Sequence, residues 1–239
     1  VARIRADLLL VARGLAESRA KARAAIEAGG VTADGRAVAK PSDLLDQAAV
    51  LEVALAHPWV SRGAVKLAAA LEGFGVDPAG RICVDVGAST GGFTQVLLAR
   101  GAARVYAVDI GREQLHASLR AEARIVRLEQ TDARSLTRAL VPEHPSLIVC
   151  DASFIGAAKV LAAPLALAAA RAEAVVLIKP QFEAGPGQGG VLNEAAARDA
   201  ARAAIAGLDG LCGFRVAAVI DSPIRGGDGN LELFAYLQR

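Results

Sequence analysis

Residues 81–94, RICVDVGASTGGFT, constrain the fold of this chain more than any other stretch. A short apolar run (Ile82, Val84, Val86) is cut by Gly87, and Gly91 and Gly92 precede a second apolar-periodic segment (Phe93, Val96, Leu97, Leu98). Such a pattern reads as a buried strand, a tight turn and a helix start. Glycine suits the turn because positive φ costs it nothing and a ligand can approach its backbone closely. From Arg81 onward strand and helix patterns alternate. Strands are expected at ICVDV, RVYAVDI, IVRLEQ, SLIVCD and AVVLIK, then at FRVAAVI and LELFAYL. Helices are expected after the glycine turn, over 114–121, after Gly156, and from Asn193 to about Leu208. The first, fourth and fifth strands are almost continuously apolar, as when helices cover both faces of a parallel sheet. The expected class is therefore α/β: a doubly wound, mostly parallel seven-stranded sheet with its ligand outside the carboxyl ends of the strands.

The charged residues acquire meaning from that layout. Asp85, Asp109, Asp151 and Lys179 fall at the carboxyl ends of successive strands, and Asp132 with Ala133 follows the third. Charges at the tips of a buried sheet need a ligand or partner to offset their desolvation. The glycine spacing is D-x-G-x-x-x-G-G rather than the dinucleotide G-x-G-x-x-G, and no phosphate-gripping lysine follows as in a P-loop. Asp109, at the second strand tip, is placed to accept both hydroxyls of a ribose; Asp85 could hold a ligand ammonium. An ordinary strand-to-helix turn is the bland alternative. The pattern resembles the S-adenosylmethionine (SAM) site of Rossmann-like methyltransferases. That resemblance implies cofactor contacts from Asp85, Gly87, Ser89, Gly91, Gly92, Phe93, Thr94, Asp109, Ile110, Asp132 and Ala133.

Two loops lie on the same rim. QFEAGPGQGG (181–190) reads as a mobile glycine-rich loop or a plain linker, and DSPIRGGDGN (221–230) joins the last two strands. Glu232 then interrupts an apolar strand. Alternation groups it with Phe234 and Tyr236 rather than with Leu231 and Leu233, on a functional face or a half-exposed one.

The first sixty residues follow another pattern. RIRADLLLVARGLA (3–16) reads as a short amphipathic helix ended by glycine, and Ser18 caps a second helix stopped by Gly29 and Gly30. Asp34-Gly35 between two strand-like runs signals a hairpin, and VLEVAL (50–55) a closing strand. Arg19, Lys21 and Arg23 cluster at the start of the second helix; such cations are commonly solvated surface. After His57-Pro58, Trp59 is expected to pack the small domain on the large one or to pack a helix start, and Ser61 to cap a helix carrying Lys66.

Composition narrows the partners. A net charge of +2 gives no bulk attraction to nucleic acid, so any such binding must come from local clusters. No apolar run reaches the ~18 residues a membrane span needs, and the N-terminal residues lack a signal-peptide pattern. Cys83, Cys150 and Cys212 sit in apolar contexts and read as buried thiols of a cytoplasmic protein. His57, His116 and His144 have no ligand spacing, so no metal is expected.

Residues 3–55 resemble the S4 RNA-binding module, through R-x-D-L-L-L-V-x-R-G-L, S-R-x-K-A-R, D-G and K-P-S. That resemblance implies phosphate contacts from Arg5, Arg19, Lys21 and Arg23, which give affinity with little sequence choice. SRGAVKL, DVGASTGGFT, DASFI, IKPQFE and S-P-I-x-G-x-x-G-N-x-E together resemble FtsJ-like 2′-O-ribose methyltransferases, and more narrowly the TlyA family of S4-plus-FtsJ proteins, often labelled haemolysin A. The resemblance implies a catalytic tetrad of Lys66, Asp151, Lys179 and Glu232, an RNA contact at Arg62, and domains at 1–58 and 59–239. It also implies transfer of a methyl group from SAM to the 2′-hydroxyl of cytidines in 16S or 23S rRNA, with ribosomal RNA or subunits as partner and no obligate protein partner. Lys179 is expected between Asp151 and Glu232, as proton acceptor or as a cation orienting the 2′-oxygen. An RNA-binding assembly factor with a vestigial cofactor site, a small-molecule methyltransferase and a membrane-active haemolysin are the other classes.

Overall fold

The structure, a computed structural model, describes residues 3–27, 29–53, 57–183, 191–226 and 229–239. The chain divides into two compact units, Val1–Pro58 and Trp59–Arg239.

In the first unit the elements run β1 (Arg3–Arg5), α1 (Ala6–Ala12), α2 (Arg19–Glu27), β2 (Val31–Ala33), β3 (Arg36–Ala37), β4 (Leu44–Asp46) and β5 (Leu51–Val53). Ala6, Leu10, Ala22, Ala25, Ile26 and Val31 form its small core. Ser18 Oγ accepts the Lys21 N–H at 3.3 Å, capping α2. Asp34 and Gly35 both have positive φ, 49° and 74°, as a type I′ hairpin turn requires, and β5 pairs antiparallel with β2. The helix expected from residue 3 starts only at Ala6. Arg3–Arg5 instead pair antiparallel with Leu44–Asp46, because three residues carry too little periodicity to reveal a strand.

The second unit runs α3 (Arg62–Phe74), β6 (Ile82–Val86), α4 (Gly92–Ala99), β7 (Arg104–Val108), β8 (Ile125–Leu128), β9 (Leu147–Cys150), α5 (Ala157–Ala166), β10 (Glu173–Ile178), α6 (Pro180–Glu183), α7 (Glu194–Leu208), β11 (Arg215–Asp221) and β12 (Leu233–Gln238). The strands form one seven-stranded sheet in the order β11-β12-β10-β9-β6-β7-β8. Pairing is parallel from β10 to β8 and antiparallel where β12 meets β10 and β11. Helices α5 and α7 bury one face of the sheet, and α3 and α4 bury the other. The strand order reverses between β6 and β9, which makes that gap the topological switch point where doubly wound sheets bind ligands.

Three further sequence expectations, all in the second unit, differ from the structure. Residues 114–121 hold only a single 3₁₀ turn, Ala117–Leu119. Leu115 and Leu119 anchor this segment beside Val60, while the Arg120 side chain donates to the carbonyls of Leu115 and Glu113, occupying groups a helix would use. Gln181–Glu183 are helical in α6 rather than loop, because the Glu183 carboxylate reaches across to accept the Ala157 N–H at 2.8 Å and caps α5. The rest of the expected mobile loop, 184–190, lies outside the described residues. Cys83 and Cys150 are buried, and burial pushes both thiols up to about 12; Cys212 is only half-buried, on an exposed 3₁₀ turn. Trp59 packs against the α3–α4 side of the sheet.

Candidate active site

Strand alternation builds the site. Cys83, Val149, Leu177 and Phe234 all point into the layer under α3 and α4. Two residues further along their strands come Asp85, Asp151 and Lys179, and two residues before Phe234 comes Glu232, so all four polar groups face the same helices. Ile178 pairs with Leu233, which brings Lys179 and Glu232 to neighbouring positions across β10 and β12. From the facing side α3 turns Ala64, Lys66, Leu67, Ala70 and Leu71 inward. Lys66 lies one turn before Ala70 and so reaches the strand tips.

A cavity of about 300 Å³ opens at the switch point, walled by Ser61, Arg62, Gly63, Lys66, residues 87–90, Gly92, Phe93, Asp151, Lys179 and Glu232. The expected tetrad is present there as two ion pairs. The Lys66 amine donates to Glu232 Oε2 at 2.5 Å, with Lys66 8% and Glu232 3% exposed. The Lys179 amine lies 2.7 Å from Asp151 Oδ1, a charge contact that is off the hydrogen-bonding direction. Its directed bonds go to Ser153 Oγ at 2.7 Å and the Asp151 carbonyl at 3.3 Å. Lys179 stands at the end of β10, between the strands that lead to Asp151 and Glu232, and of these two carboxylates it pairs with Asp151; Lys66, reaching in from α3, takes Glu232.

The glycine turn is shaped by contact as well as by φ. A Cβ on Gly87 (φ 81°) would lie 3.0–3.1 Å from the backbone of Asp151 and Ala152. One on Gly92 would meet Ser61 Oγ, with the Ala64 nitrogen at 3.1 Å. One on Gly91 (φ 91°) would meet the methyl groups of Leu115 and Leu119 at 2.6 Å. These glycines let the amino ends of α3 and α4 converge on the cavity and press the turn against the end of β9.

Not every expected cofactor residue reaches this wall. Asp85 lies near the carboxyl end of β6, is fully buried and does not line the cavity. Its Oδ2 accepts the Thr94 hydroxyl at 2.6 Å, and Oδ1 is buried with no hydrogen-bond partner among the described residues. Burial, aided by the neighbouring Asp151 and against the pull of Thr94, pushes the Asp85 carboxyl up to about 7. Asp109 stands half-buried past β7, its two oxygens oriented by the Ser89 and Gly111 N–H groups, each at 2.7 Å. Ile110 beside it is 77% exposed. Asp132 caps the 3₁₀ turn that begins at Ala133 and pairs with Arg134, which holds its carboxyl below the usual carboxylate range. Among the described residues no cluster of metal-ligating side chains occurs.

The four cations expected to bind RNA in the first unit, Arg5, Arg19, Lys21 and Arg23, already have partners. Arg5 and Arg19 both bond Asp7, whose side chain is completely buried; Arg5 first, against the cost of burial, holds that carboxyl well below the usual range. These two arginines therefore anchor β1, α1 and α2. Lys21 pairs with Glu17, and Arg23 lies 3.8 Å from Glu27, exposed contacts worth little that leave both cations able to turn to a phosphate. Arg62 is exposed on the cavity wall.

Sequence reading did not single out Ser153 or Phe154. Phe154 is 88% exposed, has φ 66°, and packs against Phe182 with the rings tilted by 46° and their centroids 4.9 Å apart. An aromatic three residues after the charged strand tip at Asp151, in a chain with only six phenylalanines, was the available signal.

A parallel sheet of this order, with a glycine turn at its switch point and an oriented carboxylate on the next strand tip, is the architecture of a Rossmann-like methyltransferase. The donor set fits SAM: an orphaned buried carboxylate oxygen lies under the turn, glycines take the place of side chains, and the Asp109 oxygens are fixed. The chain belongs to the FtsJ-like methyltransferase family, whose sequence pattern it matches over residues 59–239, and it carries an S4 domain over residues 4–51. It is 46% identical, over 99% of its length and 90% of the relative's, to the 16S/23S rRNA (cytidine-2′-O)-methyltransferase TlyA of Mycobacterium tuberculosis. It is 38% identical to hemolysin A of Brachyspira hyodysenteriae, over 98% of this chain and 99% of that one. A solved Streptococcus thermophilus structure, provisionally named a hemolysin, superposes with a TM-score of 0.77 at 36% identity, covering 99% of this chain and 88% of that one.

Proposed function

We propose that this protein methylates the ribose 2′-hydroxyl of cytidine in ribosomal RNA, with SAM as methyl donor. The observation that carries the reading is the pair of lysine–carboxylate contacts facing one cavity beside the glycine turn. The cofactor supplies a methyl group activated on a sulfonium. Gly87, Ser89, Gly92 and Phe93 would hold its amino-acid end, Asp109 its ribose hydroxyls, and Ile110, Asp132 and Ala133 its base. Lys179, on the more open side, orients the 2′-oxygen and draws on its electron density, while Asp151 fixes the amine. Lys66 and Glu232 form the buried floor. Positioning of this kind supplies much of the rate of a two-reactant transfer. The S4 unit and Arg62 would hold RNA phosphates, giving affinity without reading sequence. Acting on ribosomes, the protein would work in the cytoplasm, through residues 1–58 for RNA and 59–239 for chemistry.

No helix among the described residues is long and apolar enough to cross a membrane. The test is a map of 2′-O-methyl nucleotides on 16S and 23S rRNA from cells with and without the protein, with Lys179→Ala as control. Methylation that disappears with the gene and stays absent with Lys179→Ala, while SAM binding persists, supports the reading. Unchanged methylation maps would leave an RNA-binding assembly factor in its place.

A further inference from the structure

Lys179 and Asp151 leave the sheet on neighbouring strands, yet the sheet does not fix one against the other. Pairing of β9 with β10 ends at Cys150 and Val176, one residue short of Asp151 and three short of Lys179. Beyond that point Asp151 donates its N–H to the Val86 carbonyl of β6, while β10 stays with β12 as far as Ile178. The two exits are joined by contacts between residues 179–183 and 151–157. Lys179 donates to Ser153 Oγ and the Asp151 carbonyl, Phe182 packs against Phe154, and Glu183 Oε1 accepts the Ala157 N–H at 2.8 Å.

The last of these contacts is closely fitted. Helix α5 starts from Gly156, which has no side chain to cap it, and Glu183 fills that role from another element. A carboxylate at a helix amino end gains from the aligned peptide dipoles and from a charge-assisted bond. A Cβ on Gly156 would lie 2.9 Å from Glu183 Oε2, so the second oxygen is seated against the same chain end. Both segments need such a hold. Helix α6 is a single turn of four residues, too short to persist by itself, and Phe154 sits at φ 66°, unfavourable for a bulky side chain.

We propose that Glu183 is a positioning residue for methyl transfer: its bond to Ala157 straps the exit of β10 to the exit of β9 and so sets Lys179 against Asp151. This rests on the reading of Lys179 as the group that meets the ribose 2′-oxygen. Glu183 does not line the cavity. It acts through the turn of α6, which the Phe182 N–H closes on the Lys179 carbonyl at 2.9 Å. Without the strap that turn loosens, and the Lys179 amine loses its fixed direction. Misplacing a reacting group by about 1 Å costs on the order of 100-fold in rate.

The test uses the full-length protein, labelled SAM and ribosomal subunits from cells lacking the protein. The kcat, the dissociation constant of SAM and the unfolding midpoint are measured for the wild type, Glu183→Ala, Glu183→Asp and Glu183→Gln, with transfer assayed well below every midpoint. Glu183→Ala should lower kcat about tenfold or more and leave SAM affinity within about twofold, because the residues assigned to SAM lie beyond β6, β7 and β8. Glu183→Asp keeps the charge but falls one methylene short of Ala157, so its kcat should drop as far. Glu183→Gln keeps both reach and acceptor and should hold kcat within about threefold of the wild type. A cap that serves stability alone would lower the midpoint and leave kcat unchanged. The proposal is therefore overturned by a Glu183→Ala kcat within about twofold of the wild type. It is overturned equally by a Glu183→Asp kcat equal to the wild type, by a Glu183→Gln kcat as low as that of Glu183→Ala, or by SAM binding that weakens in step with kcat. Lys179→Ala separates the two possible failures. Transfer that survives in that variant removes Lys179 from the reaction and this proposal with it, whereas transfer lost there but kept in Glu183→Ala removes only the strap.

Discussion

Replacing Glu232 with glutamine probes the site at its most buried point. The Lys66–Glu232 contact is 2.5 Å long, and neither residue exposes more than 8% of its surface. Removing one partner of a buried ion pair costs about 3–5 kcal/mol, because the other charge is left without compensation. Two features reduce that figure here. Glutamine still offers a carbonyl to the amine, and Lys66 lines a cavity that water can enter. A loss of about 2–3 kcal/mol is expected. For a unit of this size each kcal/mol moves the unfolding midpoint by about 2–4 °C, so the midpoint should drop by roughly 4–12 °C. Differential scanning calorimetry of the full chain, alongside a methyl-transfer assay, measures both consequences. The paired variant Lys66→Met with Glu232→Leu removes both charges, so its stability should return to the wild-type value or exceed it, with transfer still abolished. The reasoning fails if Glu232→Gln melts within about 1 °C of the wild type, which is under half a kcal/mol on this scale. It fails equally if the paired variant is less stable than the single one.

Gly92→Ala should weaken SAM binding at least tenfold, since its Cβ meets Ser61 Oγ and sits 3.1 Å from the Ala64 nitrogen; equilibrium dialysis with labelled cofactor reads this, and Ser61→Ala in the same chain should recover only part of the loss. Asp85, with its carboxyl raised to about 7, holds its proton in the folded state where the unfolded chain has released it. Its contribution to stability is complete below pH ~4 and fades as pH rises toward ~7; urea titrations from pH 5 to 8 should show a flatter pH dependence for Asp85→Asn, and parallel curves would refute the assignment. Phe154→Ala should leave the melting temperature nearly unchanged, because the ring is exposed, yet lower kcat/KM on rRNA by roughly 5- to 150-fold, the worth of one stacked base; activity equal to the wild type would remove the ring from the substrate path.

What was legible in the sequence, and what was not, follows from the range of the forces involved. The sheet was legible because buried parallel strands are nearly all apolar, and the period of two fixes which residues share a face. That rule groups Glu232 with Phe234 and Tyr236, and the structure buries all three under the α3–α4 layer rather than leaving them half-exposed. The partners of the charges were not legible. Whether Glu232 meets Lys179 or Lys66 depends on how far one turn of α3 leans over the strand tips, a tertiary distance with no local signature. Segment 114–121 failed for the opposite reason: its composition favours helix, but contacts with the glycine turn and with Val60 hold it in bends and a single 3₁₀ turn. In the S4 unit the motif spacing singles out Arg5 and Arg19, while nothing local in the sequence marks the burial of Asp7, the residue that ties them down.

The pairing of the four charges also bears on how the site can hold a cationic donor. Two lysines and two carboxylates facing one small cavity cancel in pairs. The two lysine side chains are about equally buried, while Glu232 is the most buried of the four groups and Asp151 the most exposed. A cavity with two unpaired lysines would repel a sulfonium, and one with two unpaired carboxylates would hold it in the ground state more tightly than in the transition state. During methyl transfer the positive charge of the donor is dispersed and a proton must leave the 2′-oxygen, so the best surroundings are fixed dipoles of near-zero net charge. Attraction of the polyanionic RNA is then left to groups outside that balance: exposed Arg62, the converging amino ends of α3 and α4, and the cations of the S4 unit. Adding a charge inside the cavity should therefore cost more in kcat than in RNA affinity, and removing Arg62 should do the reverse.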